Sequence, residues 1–100
     1  MTRTSTGDPD VVDNAEADRY EIFDDGSLAG FITYRSTSES VTLIHAEVDA
    51  AFDGKGLGSR LAKAALDDIR AQHKTVHPRC PFVIAFIQRH PEYGDLVAGA

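Results

Sequence analysis

"AFDGKGLGSRL", residues 51–61, has glycine at three alternate positions, Gly54, Gly56 and Gly58. From Leu57 to about residue 73, apolar residues recur at helical spacing, which predicts an amphipathic helix directly after the turn. A glycine-rich turn lets successive backbone N–H groups point into one concavity, and the helix dipole adds positive potential there. The stretch therefore predicts a site for a phosphate or pyrophosphate group.

A tight turn with close packing is the alternative explanation for the three glycines. The spacing fits neither the P-loop pattern nor the GxGxxG pattern of a dinucleotide-binding turn. If phosphate binds, backbone N–H groups make most of the contacts, and the lysine and arginine of the segment add mobile charge at the rim. The predicted cofactor-binding segment consists of Gly54, Lys55, Gly56, Leu57, Gly58, Ser59 and Arg60.

The rest of the sequence predicts an α/β (α+β) fold in which an antiparallel three-stranded meander precedes the helix. Asp25-Gly26 is a hairpin signal between the first two strands. A short strand after the helix is expected to lie parallel to the third strand, and Pro81 suits the first turn of a second helix. The predicted elements are strands at 19–25, 27–36 and 40–49, a helix from 57 to about 73, a strand within 74–80 and a helix at 81–90.

Composition sets the domain boundaries and the expected surroundings of the protein. The first 18 residues hold one arginine against five acidic residues and little apolar material, which predicts a flexible acidic leader at 1–18 and a folded domain at 19–97. The chain has a formal charge of −6, which does not indicate a nucleic-acid binder. Without a membrane span or a secretion signal in the sequence, we expect no membrane association and a cytoplasmic location.

Three blocks of sequence carry a resemblance to a known family: a strand ending in "HAEV", the "GKGLGSRL" turn and helix, and "VHPRCPFVIAFIQRHPEYGDLV". Together, over about residues 19–97, they resemble the compact YjdJ-type branch of the GNAT superfamily of acetyl-CoA-dependent N-acetyltransferases. The resemblance implies a minimal GNAT-like fold, acetyl-CoA as co-substrate and direct attack of an amine on the thioester. It implies no metal.

The resemblance also assigns residues to the coenzyme site. GNAT domains bind coenzyme A through a loop of pattern Gln/Arg-x-x-Gly-x-Gly/Ala, in which Gly56 and Gly58 fill the last two positions here. Asp53 stands where Gln or Arg is usual. A backbone N–H near Val48 is expected to polarise the thioester carbonyl. The paired N-terminal helices that shape the acceptor side in larger members are not recognisable, so we expect an open acceptor groove.

The third predicted strand supplies candidates for proton transfer. Because side chains alternate along a strand, Val41, Leu43, His45 and Glu47 are predicted to share one face, with His45 and Glu47 roughly 7 Å apart. Glu47 is the first candidate for the general base, and His45 is the second. The structural alternatives are a carboxylate paired with an arginine and a hydrogen-bonded histidine.

Cys80 and Tyr93 are further catalytic candidates. Cys80 precedes Pro81 at a helix start, where positive potential favours the thiolate, so a route through an acetyl-cysteine is possible. The alternative is a small buried residue that lines the cofactor site. Tyr93 is a candidate acid for the leaving thiolate, or an anchor for the His-Pro turn. Phe82 and Phe86 are expected in the core.

Three classes of function follow from the sequence. The first is an N-acetyltransferase that moves an acetyl group from acetyl-CoA to a primary amine of a small molecule or protein. The second is an acyl-CoA-binding module with little or no turnover. The third is a structural or interaction domain that retains only the fold. A single cysteine excludes an internal disulfide and argues against a cysteine-based zinc site.

Overall fold

The computed structural model describes residues 10–52, 54 and 56–98. Within these residues, five strands form one sheet, and two α-helices and three short 3-10 helices complete the fold. The strands are β1 (Asp10–Asn14), β2 (Arg19–Asp24), β3 (Ser27–Ser36), β4 (Ser40–Val48) and β5 (Thr75–Pro78). The helices are α1 (Leu57–Ala71) and α2 (Pro81–Arg89), with 3-10 helices at Ala15–Ala17, Ala50–Phe52 and Pro91–Leu96.

The strand order in the sheet is β1-β2-β3-β4-β5. The first four strands pair antiparallel, and β5 pairs parallel to β4. The predicted mixed α/β fold is confirmed, as is the short strand parallel to residues 40–49. The meander has four strands, however, and the prediction of three was wrong because β1 lies in the segment expected to be a leader.

The expectation of a flexible leader at 1–18 is wrong for residues 10–18. Asp10–Asn14 pairs with β2, and the Asn14 side chain accepts a hydrogen bond from the Ala17 N–H in the following turn. An edge strand is stabilised largely by backbone hydrogen bonds, so its low apolar content was a poor guide. In β1, Val11 packs against the core. Residues 1–9 lie outside the described residues.

One hydrophobic core joins the sheet to both α-helices. The predicted amphipathic pattern of α1 is confirmed, because its apolar positions are buried against the strands. On the sheet, the buried side chains alternate with exposed ones, as expected for a sheet covered on one face. The core includes Tyr20, Ile22, Ile32, Tyr34, Val41 and Leu43 from the strands, Leu61, Ala65, Leu66 and Ile69 from α1, and Val83 and Phe86 from α2.

A β-bulge at Ile44 interrupts the pairing of β3 with β4. Tyr34 lies opposite Leu43, but the preceding residue Thr33 lies opposite His45. Ile44 is therefore an extra residue on β4. A bulge of one residue moves every later side chain to the other face of the sheet.

The bulge overturns the predicted grouping of side chains on β4. Val41 and Leu43 are buried in the core, as expected. Beyond the bulge it is Ala46 that packs against the core. His45 and Glu47 consequently lie on the opposite face, and the prediction that they share a face with Val41 and Leu43 was wrong. We call this face of β2, β3 and β4, opposite α1, the outer face.

No helix of the described chain is long and apolar enough to cross a lipid bilayer. Among the same residues, no cluster of three His, Cys, Asp or Glu side chains is arranged to hold a metal ion.

The role of β1 is tested by Asp13→Ala. The Tyr34 hydroxyl, whose pKa is raised by burial and then by this contact, donates to Asp13 Oδ1 at 2.5 Å. Loss of the acceptor is expected to lower the free energy of unfolding by about 1 kcal/mol and the melting temperature by about 4–8 °C. The control is Glu16→Ala, an exposed acidic residue of the same segment. Equal melting temperatures for the two variants would contradict the structural role of β1.

Candidate functional site

The glycine turn before α1 uses backbone conformations that favour glycine. Gly54 has φ +82° and Gly56 has φ +70°, both in the left-handed region. A Cβ atom added at either position would meet no other atom within 4 Å. The two glycines are therefore required by the path of the backbone and not by lack of space.

The first turn of α1 presents backbone donors that the helix itself does not satisfy. Gly56 is the N-cap, and its carbonyl accepts the first helical hydrogen bond from the Arg60 N–H at 3.2 Å. The N–H groups of Leu57, Gly58 and Ser59 precede that bond, so helix geometry gives them no acceptor within the helix. These N–H groups form the positive end of the helix dipole, which is the feature that the predicted anion site requires.

Gly58 is explained by packing. A Cβ atom at this position would lie 2.8 Å from Cζ of Phe82, which is too close. The ring of Phe82 therefore rests on the first turn of α1 and joins it to the start of α2. Phe82 is 38 % exposed, so the expectation that it belongs to the core was wrong, whereas Phe86 is buried as expected.

Lys55 of the predicted cofactor segment and Asp53, which precedes that segment, lie outside the described residues, so their roles stay predictions. Arg60 is exposed in the first turn of α1. This position suits its predicted contact with a phosphate group.

β4 and β5 separate where the sheet meets α2. Their parallel pairing ends at Leu43 and Pro78. The N–H groups of Arg79 and Cys80 both donate to the Leu43 carbonyl, at 2.9 and 3.2 Å, and the chain then turns into α2. β4 continues to Val48 without a partner on this side. We call the resulting opening, between the end of β4 and the start of α2, the β4–β5 gap.

The direction of the backbone groups shows which of them face the β4–β5 gap. The Asp49 N–H donates to the carbonyl of Ala29 on β3. The His45 carbonyl accepts from the hydroxyl of Thr33, which also lies on β3. Because backbone groups alternate along a strand, those of Ala46 and Val48 point away from β3. They therefore face the β4–β5 gap, where the sequence predicted a polarising N–H near Val48.

His45 and Glu47 are brought together on the outer face, beside the β4–β5 gap. A hydrogen bond of 2.9 Å joins His45 Nε2 and Glu47 Oε2. Their side chains are 57 % and 60 % exposed, so a molecule from solvent can reach both. The two leading candidates for proton transfer thus form one polar pair.

Three neighbours of this pair were not recognised from the sequence. Phe31 lies directly opposite Glu47, and its ring centroid is 6.4 Å from that of His45. The Arg19 guanidinium lies over the Phe31 ring, 4.7 Å from the centroid, and Arg19 Nε donates to Glu21 at 2.6 Å. Strand alternation gives Arg19, Glu21 and Phe31 a common face, but only the bulge on β4 adds His45 and Glu47 to it.

Cys80 is the N-cap of α2 and is almost completely buried. Its N–H bonds to the Leu43 carbonyl, at the point where β4 and β5 separate. The thiol-bearing residue therefore borders the β4–β5 gap from inside the core. This position agrees with a small buried residue that lines the site, and a nucleophilic role for Cys80 stays a prediction.

Tyr93 is not placed with the other candidates. Its hydroxyl donates to Asp67 Oδ1 at 2.7 Å, and burial followed by this hydrogen bond raises the pKa of Tyr93. Asp67 lies ten residues after the start of α1, about 15 Å along the helix axis. Tyr93 therefore anchors the C-terminal 3-10 helix to α1, which is the structural alternative to an acid role.

Asp67 also shows how this anchor depends on pH. Partial burial favours the neutral form of Asp67, but hydrogen bonds from Lys63 and Tyr93 outweigh it and lower the pKa. A carboxylate with a lowered pKa in the folded state stabilises the fold above its unfolded-state pKa of about 4. This contribution is lost as the pH falls through the lowered value.

Tyr93→Phe separates the structural role from the acid role. Removal of the hydroxyl is expected to lower the free energy of unfolding by about 1 kcal/mol, measured by urea denaturation, and to leave kcat unchanged at a temperature where the variant is folded. Asp67→Ala is expected to give a similar loss, and the double variant little more, because both changes remove the same hydrogen bond. A fall in kcat with full stability would restore Tyr93 as the acid.

The parallel strands that diverge beside a glycine turn at a helix start define the class of GNAT-type N-acetyltransferase domains. A sequence model of the family described as GCN5-related N-acetyl-transferase matches residues 19–96. Because this match covers most of the chain, the protein belongs to that family.

Curated relatives match a shorter part of the chain. "Protein NATD1" of Bos taurus is 37 % identical over 51 residues, which are 51 % of this chain and 45 % of that protein. "Protein NATD1" of Xenopus tropicalis is 34 % identical over 53 residues, 53 % of this chain and 49 % of that protein. The match spans about half the length of these relatives.

Solved structures share the fold. A GCN5-like protein of Staphylococcus aureus aligns with a TM-score of 0.63 and 23 % identity over 83 % of each chain. Ard1 of Thermoplasma volcanium aligns with a TM-score of 0.56 and 27 % identity, over 77 % of this chain and 54 % of Ard1. Ribosomal-protein-alanine N-acetyltransferase of Brucella melitensis aligns with a TM-score of 0.57 and 20 % identity, over 82 % of this chain and 62 % of that enzyme. The first and third likenesses concern the fold alone.

Proposed function

We propose that the protein transfers an acetyl group from acetyl-CoA to a primary amine of a small molecule or a protein. The single observation that carries this proposal is the arrangement around the β4–β5 gap. The end of β4, the glycine turn of α1 and the start of α2 border one site, because only the short 3-10 helix Ala50–Phe52 separates β4 from the turn and Phe82 of α2 rests on Gly58. The resemblance to the compact branch of the family is part of this proposal.

The residues at the β4–β5 gap fit the chemistry of coenzyme A. The N–H groups of Leu57, Gly58 and Ser59 suit its pyrophosphate, which a helix N-terminus attracts. The pantetheine arm carries amide groups, and the backbone of Ala46 and Val48 offers donors and acceptors to them, as a strand does to a neighbour. Acetyl-CoA supplies the activated acetyl group as a thioester.

The outer-face pair supplies the proton chemistry of the proposed reaction. The Glu47 carboxylate accepts a proton from the acceptor ammonium, directly or through one water, and His45 holds that carboxylate through its hydrogen bond. The free amine then attacks the acetyl carbonyl carbon, and the Val48 N–H is proposed to stabilise the oxygen that becomes negative. The new C–N bond forms as the C–S bond breaks, the nitrogen releases its remaining extra proton to solvent, and the departing thiolate takes up one proton from solvent.

A binding module with little turnover is the second candidate. This function is favoured by the short connection between β1 and β2, which contains only the three-residue 3-10 helix Ala15–Ala17. Such a connection is too short to enclose the acceptor side of the site. Thiol release from acetyl-CoA in the presence of an amine panel separates the two functions. A cytoplasmic location and the absence of nucleic-acid or membrane partners stay predictions.

Binding of coenzyme A is tested by Gly56→Val. A β-branched side chain at φ +70° strains the turn and moves the N–H groups of the first helical turn, so calorimetry is expected to detect no binding. Circular dichroism checks that the variant is folded. The control is Gly94→Val, where an added Cβ meets no atom within 4 Å and φ is not positive. Undiminished binding by a folded Gly56→Val protein would contradict the proposed phosphate site.

The choice of base and nucleophile is tested by Glu47→Gln and Cys80→Ala. Loss of the carboxylate is expected to lower kcat/KM by about 100-fold, because a positioned base contributes at least that much. Cys80→Ala is expected to keep most of the activity, with any change in the affinity for coenzyme A. An inactive Cys80→Ala protein, together with an acetylated cysteine in the wild type by mass spectrometry, would move the nucleophile to Cys80.

A further inference from the structure

The outer face carries two rows of side chains that end at the β4–β5 gap. Direct cross-strand partners share a face and lie next to each other. The register of β2, β3 and β4 therefore aligns one row across the three strands and a second row beside it. The first row is Glu21, Phe31 and Glu47, and the second is Arg19, Thr33 and His45.

Arg19 reaches out of its own strand toward the proposed proton acceptor. It belongs to β2, but its guanidinium lies 4.7 Å from the centroid of Phe31, a residue of β3. Phe31 in turn lies directly opposite Glu47, one strand spacing of about 4.8 Å away. A cation and an anion of the protein thus both lie next to the same aromatic ring.

Glu21 fixes the guanidinium in this position. The carboxylate is only 6 % exposed and accepts hydrogen bonds through Oε2 from Arg19 Nε at 2.6 Å and from Asn14 Nδ2 at 3.1 Å. The bond to Nε uses one of the five N–H donors of the guanidinium. The Arg19 side chain is 29 % exposed, so part of it can be reached from solvent. A planar guanidinium held in this way is suited to a second, bidentate carboxylate.

We propose that the acceptor is a small amino acid, an amine that carries a carboxylate a few bonds away. The inference rests on the proposed function and names its substrate class. The ammonium group lies at Glu47, where it loses its proton, the short carbon chain lies on Phe31, and the carboxylate binds Arg19. Arg19 and Phe31 are then specificity-determining residues, and a purely cationic amine gains nothing from the guanidinium.

The charge balance of the outer face agrees with this class of acceptor. In the two rows, the carboxylates are those of Glu21 and Glu47, the guanidinium is that of Arg19, and His45 contributes an imidazole. Glu21 is already paired with Arg19, so Glu47 is the carboxylate left to attract an ammonium. A diamine would place its second positive charge beside the guanidinium, which is unfavourable.

The test compares amino acids with their amides as acceptors. Glycine, β-alanine and 4-aminobutanoate are each paired with the corresponding amide, and kcat/KM for thiol release from acetyl-CoA is corrected for the fraction of free amine. At least one amino acid is expected to exceed its amide by about 10- to 100-fold, mainly through a lower KM, as a charge-assisted hydrogen bond allows. The chain length that gives the largest ratio reports the spacing of the two groups.

Arg19→Gln is expected to abolish the preference for the acid over the amide, measured as the ratio of their kcat/KM values. Arg35→Gln, an exposed arginine further along β3, is the control and is expected to keep the preference. If Arg19→Gln is unstable, Arg19→Lys tests the same point, since it retains the charge but loses the bidentate geometry. For Arg19→Lys, the ratio of kcat/KM for the amino acid to kcat/KM for its amide is expected to fall at least several-fold.

The outcomes separate this inference from the proposed function. Acetylation of amides, alkylamines or diamines as efficiently as amino acids overturns the inference and leaves the acetyltransferase intact. A preference for amino acids that survives in Arg19→Gln and Arg19→Lys also overturns it. If coenzyme A binds and no amine is acetylated, the proposed function fails, and the inference fails with it.

Discussion

The β-bulge at Ile44 sets the chemistry of β4 by changing which face receives each half of the strand. Before the bulge, the strand contributes Val41 and Leu43 to the core. Beyond it, His45 and Glu47 lie on the outer face, while the backbone of the same segment faces the β4–β5 gap. One extra residue therefore lets a single strand support the core, turn backbone groups toward the β4–β5 gap and present a carboxylate to solvent. Each of these contributions depends on the register in which β4 pairs with β3 and β5.

The second constraint is the contact between Gly58 and Phe82, which fixes the starts of the two α-helices relative to each other. The start of α1 carries N–H groups that have no acceptor within the helix, and the start of α2 borders the β4–β5 gap with Cys80. Without a glycine at this point, the ring of Phe82 would be displaced and the gap would change shape. The glycine segment thus combines two physical requirements, left-handed backbone at its first two glycines and close packing at the third.

The residues that hold the fold together lie apart from those that are proposed to react. The C-terminal 3-10 helix is held to α1 by Tyr93 and by Arg70, which bonds to both carboxylate oxygens of Asp95 at 3.0 Å. These contacts lie on the helical side of the sheet, whereas the proposed acceptor groups lie on the outer face. Substitutions that alter acceptor choice are thereby separated from the hydrogen bonds that stabilise the core.

The helix after the glycine turn, the hairpins and the parallel short strand could be predicted from sequence, because they follow from local periodicity, turn residues and helix caps. Sequence patterns also indicated Gly56, Glu47 and His45 as candidate site residues. The strand at residues 10–14 became evident only in the folded structure, since it depends on backbone pairing with β2. The folded structure alone placed Tyr93 on Asp67, and Arg19 and Phe31 beside Glu47. Such contacts depend on strand register and on one bulged residue, which no local sequence pattern specifies.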